Sequence, residues 1–202
     1  MFELQDLARR IAQCTDCPLS QGRTQAVPGE GNEQAEVLFI GEGPGFHEDR
    51  QGRPFVGPAG QFLESLLASV GLDRSKVFIT NMVKCRPPNN RDPFPAEIEA
   101  CSKYLDRQIE LINPQVIVTL GRHSLGKFYP KESVSKVRGK ARPWQGRTVY
   151  PLLHPASALY RQELRQVIEQ DFQGIPALLK AHQPAPPPQE PRSESGQQLS
   201  FL

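Results

Sequence analysis

Three polar residues each follow closely on a short apolar run. Glu42 comes after "VLFI" and a glycine, Asn81 after "VFIT", and His154 after "VYPLL". A fourth run, "VIVTL", leads into Gly121-Arg122-His123. A carboxylate, an amide and an imidazole suit a site that reads a hydrogen-bonding heterocycle and activates water. A second set is made of thiols. Cys14, Cys17, Cys85 and Cys101 are the four cysteines of the chain, and the first two form a C-x-x-C pair. Close-spaced cysteines in a cytosolic chain favour metal over disulfide. Four thiolates suit a structural zinc site or an iron–sulfur cluster, and the spacing does not choose between them. A redox pair is the weaker reading of C-x-x-C, because no thioredoxin-like unit surrounds it. Cys101 also lies on an apolar helical side, where a plain core cysteine would serve.

These residues need elements to bring them together. The runs Val37–Ile40, Val77–Thr80, Val116–Leu120 and Val149–Leu153 read as buried strands. Helical patterns lie around and between them. The first covers residues 2 to 13, with Phe2, Leu4, Leu7, Ala8 and Ile11 on one side. The next has Phe62, Leu63, Leu66, Leu67 and Val70 on one face, and another has Ile98, Cys101, Leu105, Ile109 and Ile112. A last helix is expected from about Ala158 to His182, broken at Gly174 and Pro176. Strands alternating with helices predict an α/β fold with a parallel sheet covered on both faces. In such sheets ligands bind at the carboxyl ends of the strands, so Glu42, Asn81 and His154 are expected to share one cleft.

Composition sets the outer limits. The 202 residues suffice for one domain with a core, 38% of them are hydrophobic, and the net charge is +2. That balance neither requires nor excludes a nucleic-acid partner. The opening "MFELQDLARRIAQ" carries acids on a helical period and does not read as a signal peptide. No apolar run is long enough to cross a bilayer, and the expected compartment is the reducing cytoplasm. From Gln183 the chain turns to Pro, Gln, Glu and Ser and has little to bury. Residues 1–182 are therefore read as the folded domain, which the resemblance described next makes the catalytic one, and 183–202 as a disordered tail.

The stretch "GEGPGFHEDRQGRPFVGPAG", residues 41–60, leaves the first strand for a polar loop with six glycines. Together with C-x-x-C near the start, "TNMVKCRPPNNRDP" and "HPAS", it resembles the family 4, iron–sulfur uracil-DNA glycosylases over roughly residues 10 to 180. Gly43 stands where alanine is common in that family. The resemblance implies a three-layer α/β/α fold around a four-stranded parallel sheet. It assigns Cys14, Cys17, Cys85 and Cys101 to a [4Fe–4S] cluster. It also implies monofunctional hydrolysis of the glycosidic bond of a flipped-out deoxyuridine in DNA, leaving an abasic site. Gly43 and its neighbours would let backbone N–H groups approach the base. Phe55 would stack on uracil, and Asn81 would accept from N3–H and donate to O4. His154 would donate to O2 as negative charge grows there. Glu42 would serve the water, since Gly43 replaces the aspartate of the best-known branch. Glu48 would fence the C5 edge, and Asn89 would support the water.

DNA contact is expected from two basic stretches. One holds Lys84, Arg86 and Arg91; the other holds Lys136, Arg138, Lys140, Arg142 and Arg147 around Trp144. By analogy with the superfamily, Leu159 or Tyr160 would fill the gap left by the flipped base and Arg161 would hold a phosphate. The final Gln198-Leu199-Ser200-Phe201-Leu202 resembles short peptides that bind the bacterial sliding clamp, and a flexible linker would raise local concentration there. Two rivals stand beside this reading. One is a covalent or non-catalytic uracil-DNA binder of the same superfamily, but its basic insertion is absent after Asn81. The other is a nucleotide-binding redox protein, but Pro44 delays any helix that could cradle a pyrophosphate.

Overall fold

A computed structural model describes residues 2–182; the stretch from Gln183, with the proposed clamp peptide, lies outside the described residues. The helices are α1 (Phe2–Gln13), α2 (Leu19–Gly22), α3 (Phe46–Gln51), α4 (Pro58–Ser69), α5 (Pro95–Ile112), α6 (Arg122–Phe128), α7 (Val134–Val137), α8 (Ser157–Tyr160), α9 (Glu163–Phe172) and α10 (Ile175–His182). The strands are β1 (Glu30–Gly31), β2 (Val37–Gly41), β3 (Phe78–Asn81), β4 (Val116–Leu120), β5 (Arg142–Trp144) and β6 (Arg147–Leu152).

The strands form one sheet in the order β1-β3-β2-β4-β6-β5. Its middle is the expected parallel unit: β3, β2, β4 and β6 pair in parallel. Two short antiparallel edges, β1 and β5, extend it to six strands. The middle strands are buried on both faces, which is why they read as unbroken apolar runs. Their side chains alternate between layers. Val37, Phe39, Val116, Val118 and Leu120 pack with α4 and with Ile168, Phe172 and Ile175 of the last helices. Leu38, Ile40, Ile117 and Val149 pack on the other side with Leu105, Ile109 and Ile112 of α5.

The last helical segment differs from expectation. In place of one helix broken at Gly174 and Pro176 there are three pieces: an extra break at Arg161 and Gln162 separates α8 from α9, and Pro176 lies in the first turn of α10. Among the described residues no helix is long and apolar enough to cross a membrane.

The chain order places a topological switch between β2 and β4. From β2 the chain moves to β3 on one side, then crosses to β4 and β6 on the other. The loops after β2 and β4 thus diverge and leave a crevice at the carboxyl ends.

Candidate active site and thiol centre

Gly41 ends β2 and pairs with Asn81 at the end of β3. A side chain at Gly41 would run into Asn81 Oδ1 and lie 2.7 Å from Phe55 Cζ. Glycine therefore lets the Asn81 amide and the Phe55 ring approach each other across the strand end. Asn81 is only 2% exposed, and its Oδ1 is buried with no hydrogen-bond partner.

Phe55 is 5% exposed and has a φ of 53°, a left-handed conformation that bulky residues rarely adopt. Its surroundings impose it. Arg74 donates from Nη1 to the Pro54 carbonyl at 2.9 Å and from Nη2 to the Phe55 carbonyl. Gly60, in the first turn of α4, sits so close that a Cβ would land on that same carbonyl. Glu48 accepts the N–H groups of Val56 and Gly57 at 3.0 Å each through Oε1. These bonds fix the turn that presents Phe55.

The Phe55 ring lies against the His154 imidazole, with centroids 5.6 Å apart and planes at 26°. His154 Nδ1 accepts the Ala156 N–H at 3.1 Å, which assigns the ring proton to Nε2. Burial lowers the His154 pKa to about 4, against the pull of Glu48. The ring is thus a neutral donor at ordinary pH.

Glu42 stands in the crevice between β2 and β4. Its Oε2 is 3.6 Å from His123 Nε2, which is 3.7 Å from Asp92 Oδ1. Asp92 is also paired with Arg122. Burial first, with Asp92 adding, raises the Glu42 pKa against the pull of His123. His123 and Asp92 were given no role from the sequence; the signal for His123 was its place just after a strand. Glu42, His123, Asn81 and His154 thus follow or end the four parallel strands. Gly43 packs on the neighbouring loop, where a Cβ would lie 2.8 Å from Val83 Cγ2. Asn89 is an exposed turn residue with a φ of 53°.

The thiols meet on the other side of β3. Cys14 and Cys17 lie between α1 and α2, Cys85 follows β3, and Cys101 is on α5. All four line one small cavity with Ile11, Tyr104 and Lys84, and none is in a disulfide. Arg23 Nη1 donates to Cys85 Sγ at 3.0 Å. Burial raises the Cys85 pKa and takes Cys101 to about 11. Ionising these thiols needs a cation among them, and four convergent soft donors fit zinc or an iron–sulfur group.

The sequence profile described as the Uracil DNA glycosylase superfamily matches residues 28–173. The chain belongs to that superfamily. A Type-4 uracil-DNA glycosylase of Sulfurisphaera tokodaii is 50% identical over 188 residues, 88% of this chain and 86% of that protein. One of Archaeoglobus fulgidus is 47% identical over 193 residues, 91% and 97% of the two chains. A Type-5 uracil-DNA glycosylase of Thermus thermophilus is 35% identical over 141 residues, 62% and 63% of the chains. The superfamily span takes in Glu42, Phe55, Asn81, His123 and His154. It starts beyond Cys14 and Cys17, so the N-terminal thiol pair adds to the superfamily core.

Around this superfamily core the remaining expected residues fall in different places. Leu159 and Tyr160 project from α8, 49% and 87% exposed, and Arg161 beside them is exposed. Lys140 is exposed too. Arg138 is engaged elsewhere: its Nη1 lies 2.7 Å from both carboxylate oxygens of Asp171. Arg142 pairs with Glu132 and Arg147 with Asn113, while Trp144 packs edge-on against Phe128. The second basic stretch is therefore in part an internal brace. Lys84 is a plain correction, since it is buried and cannot meet a phosphate. Two exposed aromatics escaped the sequence reading: Phe46, with Arg50 and Arg86 over its ring, and Phe94, with Arg91 over its ring.

Proposed function

We propose that the chain is a monofunctional uracil-DNA glycosylase that hydrolyses the glycosidic bond of a flipped-out deoxyuridine and leaves an abasic site. The observation that carries this reading is the buried, unpartnered Asn81 Oδ1 between Gly41, Phe55 and the His154 side of the cleft. An orphaned buried acceptor costs about 1–3 kcal/mol, and a ligand N–H relieves it. Uracil offers N3–H to Oδ1 and O4 to the amide nitrogen. Cytosine reverses both groups, leaves both sides unpaired and is rejected.

In this reading Phe55 stacks on the flipped base. As the bond to the sugar breaks, the electron pair goes to uracil, and negative charge grows on O2. The neutral His154 donates to that oxygen from Nε2 and keeps the proton, because the N–H of an uncharged imidazole is a very weak acid. Removing one such donor costs about 3–4 kcal/mol of barrier. Glu42 holds the attacking water and favours the sugar cation by its charge, with His123 and Asp92 fixing its orientation. Gly43 brings backbone close to the base. Asn89, at the turn beside this crevice, supports the water from outside. Leu159 or Tyr160 fills the vacated stack, while Arg161 and Lys140 meet phosphates. Arg138 has no part in this reading, because Asp171 holds it.

Cys14, Cys17, Cys85 and Cys101 would hold a [4Fe–4S] cluster. The convergent thiols and the Type-4 relatives support it. When bound it supplies a cross-link between the N-terminal helix and the 85–101 segment. The region 183–202 is proposed as a tether whose Gln198, Leu199, Phe201 and Leu202 dock on a sliding clamp. Deleting residues 198–202 should abolish clamp pull-down and leave cleavage of naked oligonucleotides unchanged.

The deciding experiment uses anaerobically purified protein, an oligonucleotide with one uracil in duplex and single strand, and alkali to reveal abasic sites. Cleavage at uracil that Asn81→Ala loses supports the proposal. A denaturation-resistant protein–DNA adduct would support the covalent binder in its place.

A further inference from the structure

Lys84 is 1% exposed, and a buried ammonium is costly unless its donors are satisfied. Its Nζ donates to Thr80 Oγ1 at 2.6 Å, to the Asn81 carbonyl at 2.7 Å and to Gln108 Oε1 at 2.7 Å. None of these partners is a carboxylate. Gln108 in turn donates from Nε2 to the Pro28 carbonyl at 2.7 Å. The Lys84 backbone is bound as well. Its carbonyl accepts Val27 N–H at 2.7 Å, and the residue lines the cavity of the four cysteines. One residue thereby joins the end of β3, the Val27–Pro28 segment, helix α5 and the thiol centre.

We propose that Lys84 is a positioning residue for base recognition: it fixes the Asn81 backbone and ties that fixed point to the thiol centre. The Asn81 Oδ1 has no protein partner, so the direction of this amide rests on its backbone. That backbone is set by the Gly41 pairing on one side and by the Lys84 ammonium on the other. Recognition geometry tolerates errors of only about 0.5 Å. Helix α5 carries both Gln108 and Cys101, so the grip on Asn81 and the cysteine wall share one rigid support.

This inference rests on the uracil reading, and its test separates the two. Lys84→Met keeps the aliphatic stem and removes the three donors. It is made alone and with Asn81→Ala. The readouts are kcat/KM on a single-uracil duplex and the Kd of free uracil by calorimetry, with iron content and melting temperature as controls. Lys84→Met alone should lower kcat/KM and weaken uracil binding by about 10-fold or more, as expected for hydrogen bonds to a charged group. In the Asn81→Ala background the same change should alter either quantity less than about twofold, because residues acting as a unit are not additive. Equal losses in both backgrounds, or no loss in the single variant, would overturn the inference. Should Lys84→Met fail to accumulate as folded, iron-loaded protein, Thr80→Val goes through the same cycle. It removes one acceptor and keeps the ammonium, and the same criteria decide. An Asn81→Ala protein that cleaves uracil normally would instead remove the pocket reading itself.

Discussion

In the proposed mechanism His154 is an uncharged donor, and that has two consequences for pH. Its folded pKa of about 4 lies below the usual histidine value. The unfolded chain therefore takes up this proton near pH 6.5 while the folded one does not until about pH 4. Stability linked to this group is complete above pH 6.5 and is lost as pH falls toward 4. His154→Gln should flatten that part of a denaturation-midpoint profile. Activity should pass through pH 6.5 without an inflection from this ring. In the same mechanism the acid limb belongs to Glu42, whose pKa burial raises above 4.5. Below that raised value the carboxylate is lost, so kcat should fall with a midpoint above pH 4.5. Glu42→Gln should remove the limb and lower kcat by about 10²–10⁴. An unchanged acid limb in Glu42→Gln would move the water-serving role to another group.

At the scale of elements, two glycines around Phe55 make opposite predictions. A Cβ at Gly60 meets the Phe55 backbone, which Arg74 and helix α4 hold in place. Gly60→Ala should cost about 2–4 kcal/mol of stability in chemical denaturation. A Cβ at Gly41 meets only side chains, Asn81 Oδ1 and the Phe55 ring. Gly41→Ala should melt close to the parent yet lose at least about 100-fold in kcat/KM, because it fills the base pocket. The parallel strands were legible because burial on both faces writes continuous apolar runs, and their ends announced Asn81 and His154. Strands β1 and β5 were not, since two or three half-exposed residues carry no alternation to read. The left-handed Phe55 was equally hidden, because neither Arg74 nor Gly60 signals its target in sequence. Lys84 misled for a simpler reason: charge predicts exposure, and only the spatial meeting of Thr80, Asn81 and Gln108 overrides it.

Across the whole molecule, charge count and DNA affinity should part company. Arg138 is held by Asp171, and Lys140 stands in solvent. Arg138→Met should lower the melting temperature and leave the salt dependence of DNA binding unchanged. Lys140→Ala should reduce the slope of log K against log salt by about 1 and leave melting unchanged. The reverse pattern would reassign the two residues. With the proposed cluster in place, stripping iron with a chelator under reducing conditions should release the N-terminal helix. That would appear as a lower melting temperature and as rapid amide exchange at Leu7 and Ile11, which pack in the small core around Cys85 and Cys101.

That small core also has a timetable. Cys14 and Cys17 are made early, while Cys101 follows Cys17 by more than eighty residues. At about 5–20 residues per second, the first pair waits on the order of 4–17 s for its last partner. During that interval the nascent helix α1 has no completed wall to dock on. Two neighbouring thiols are then open to zinc or to oxidation. On the proposed iron–sulfur reading, loading is thus a race during synthesis, and starving cells of iron should yield chains that carry zinc at this centre or a Cys14–Cys17 disulfide.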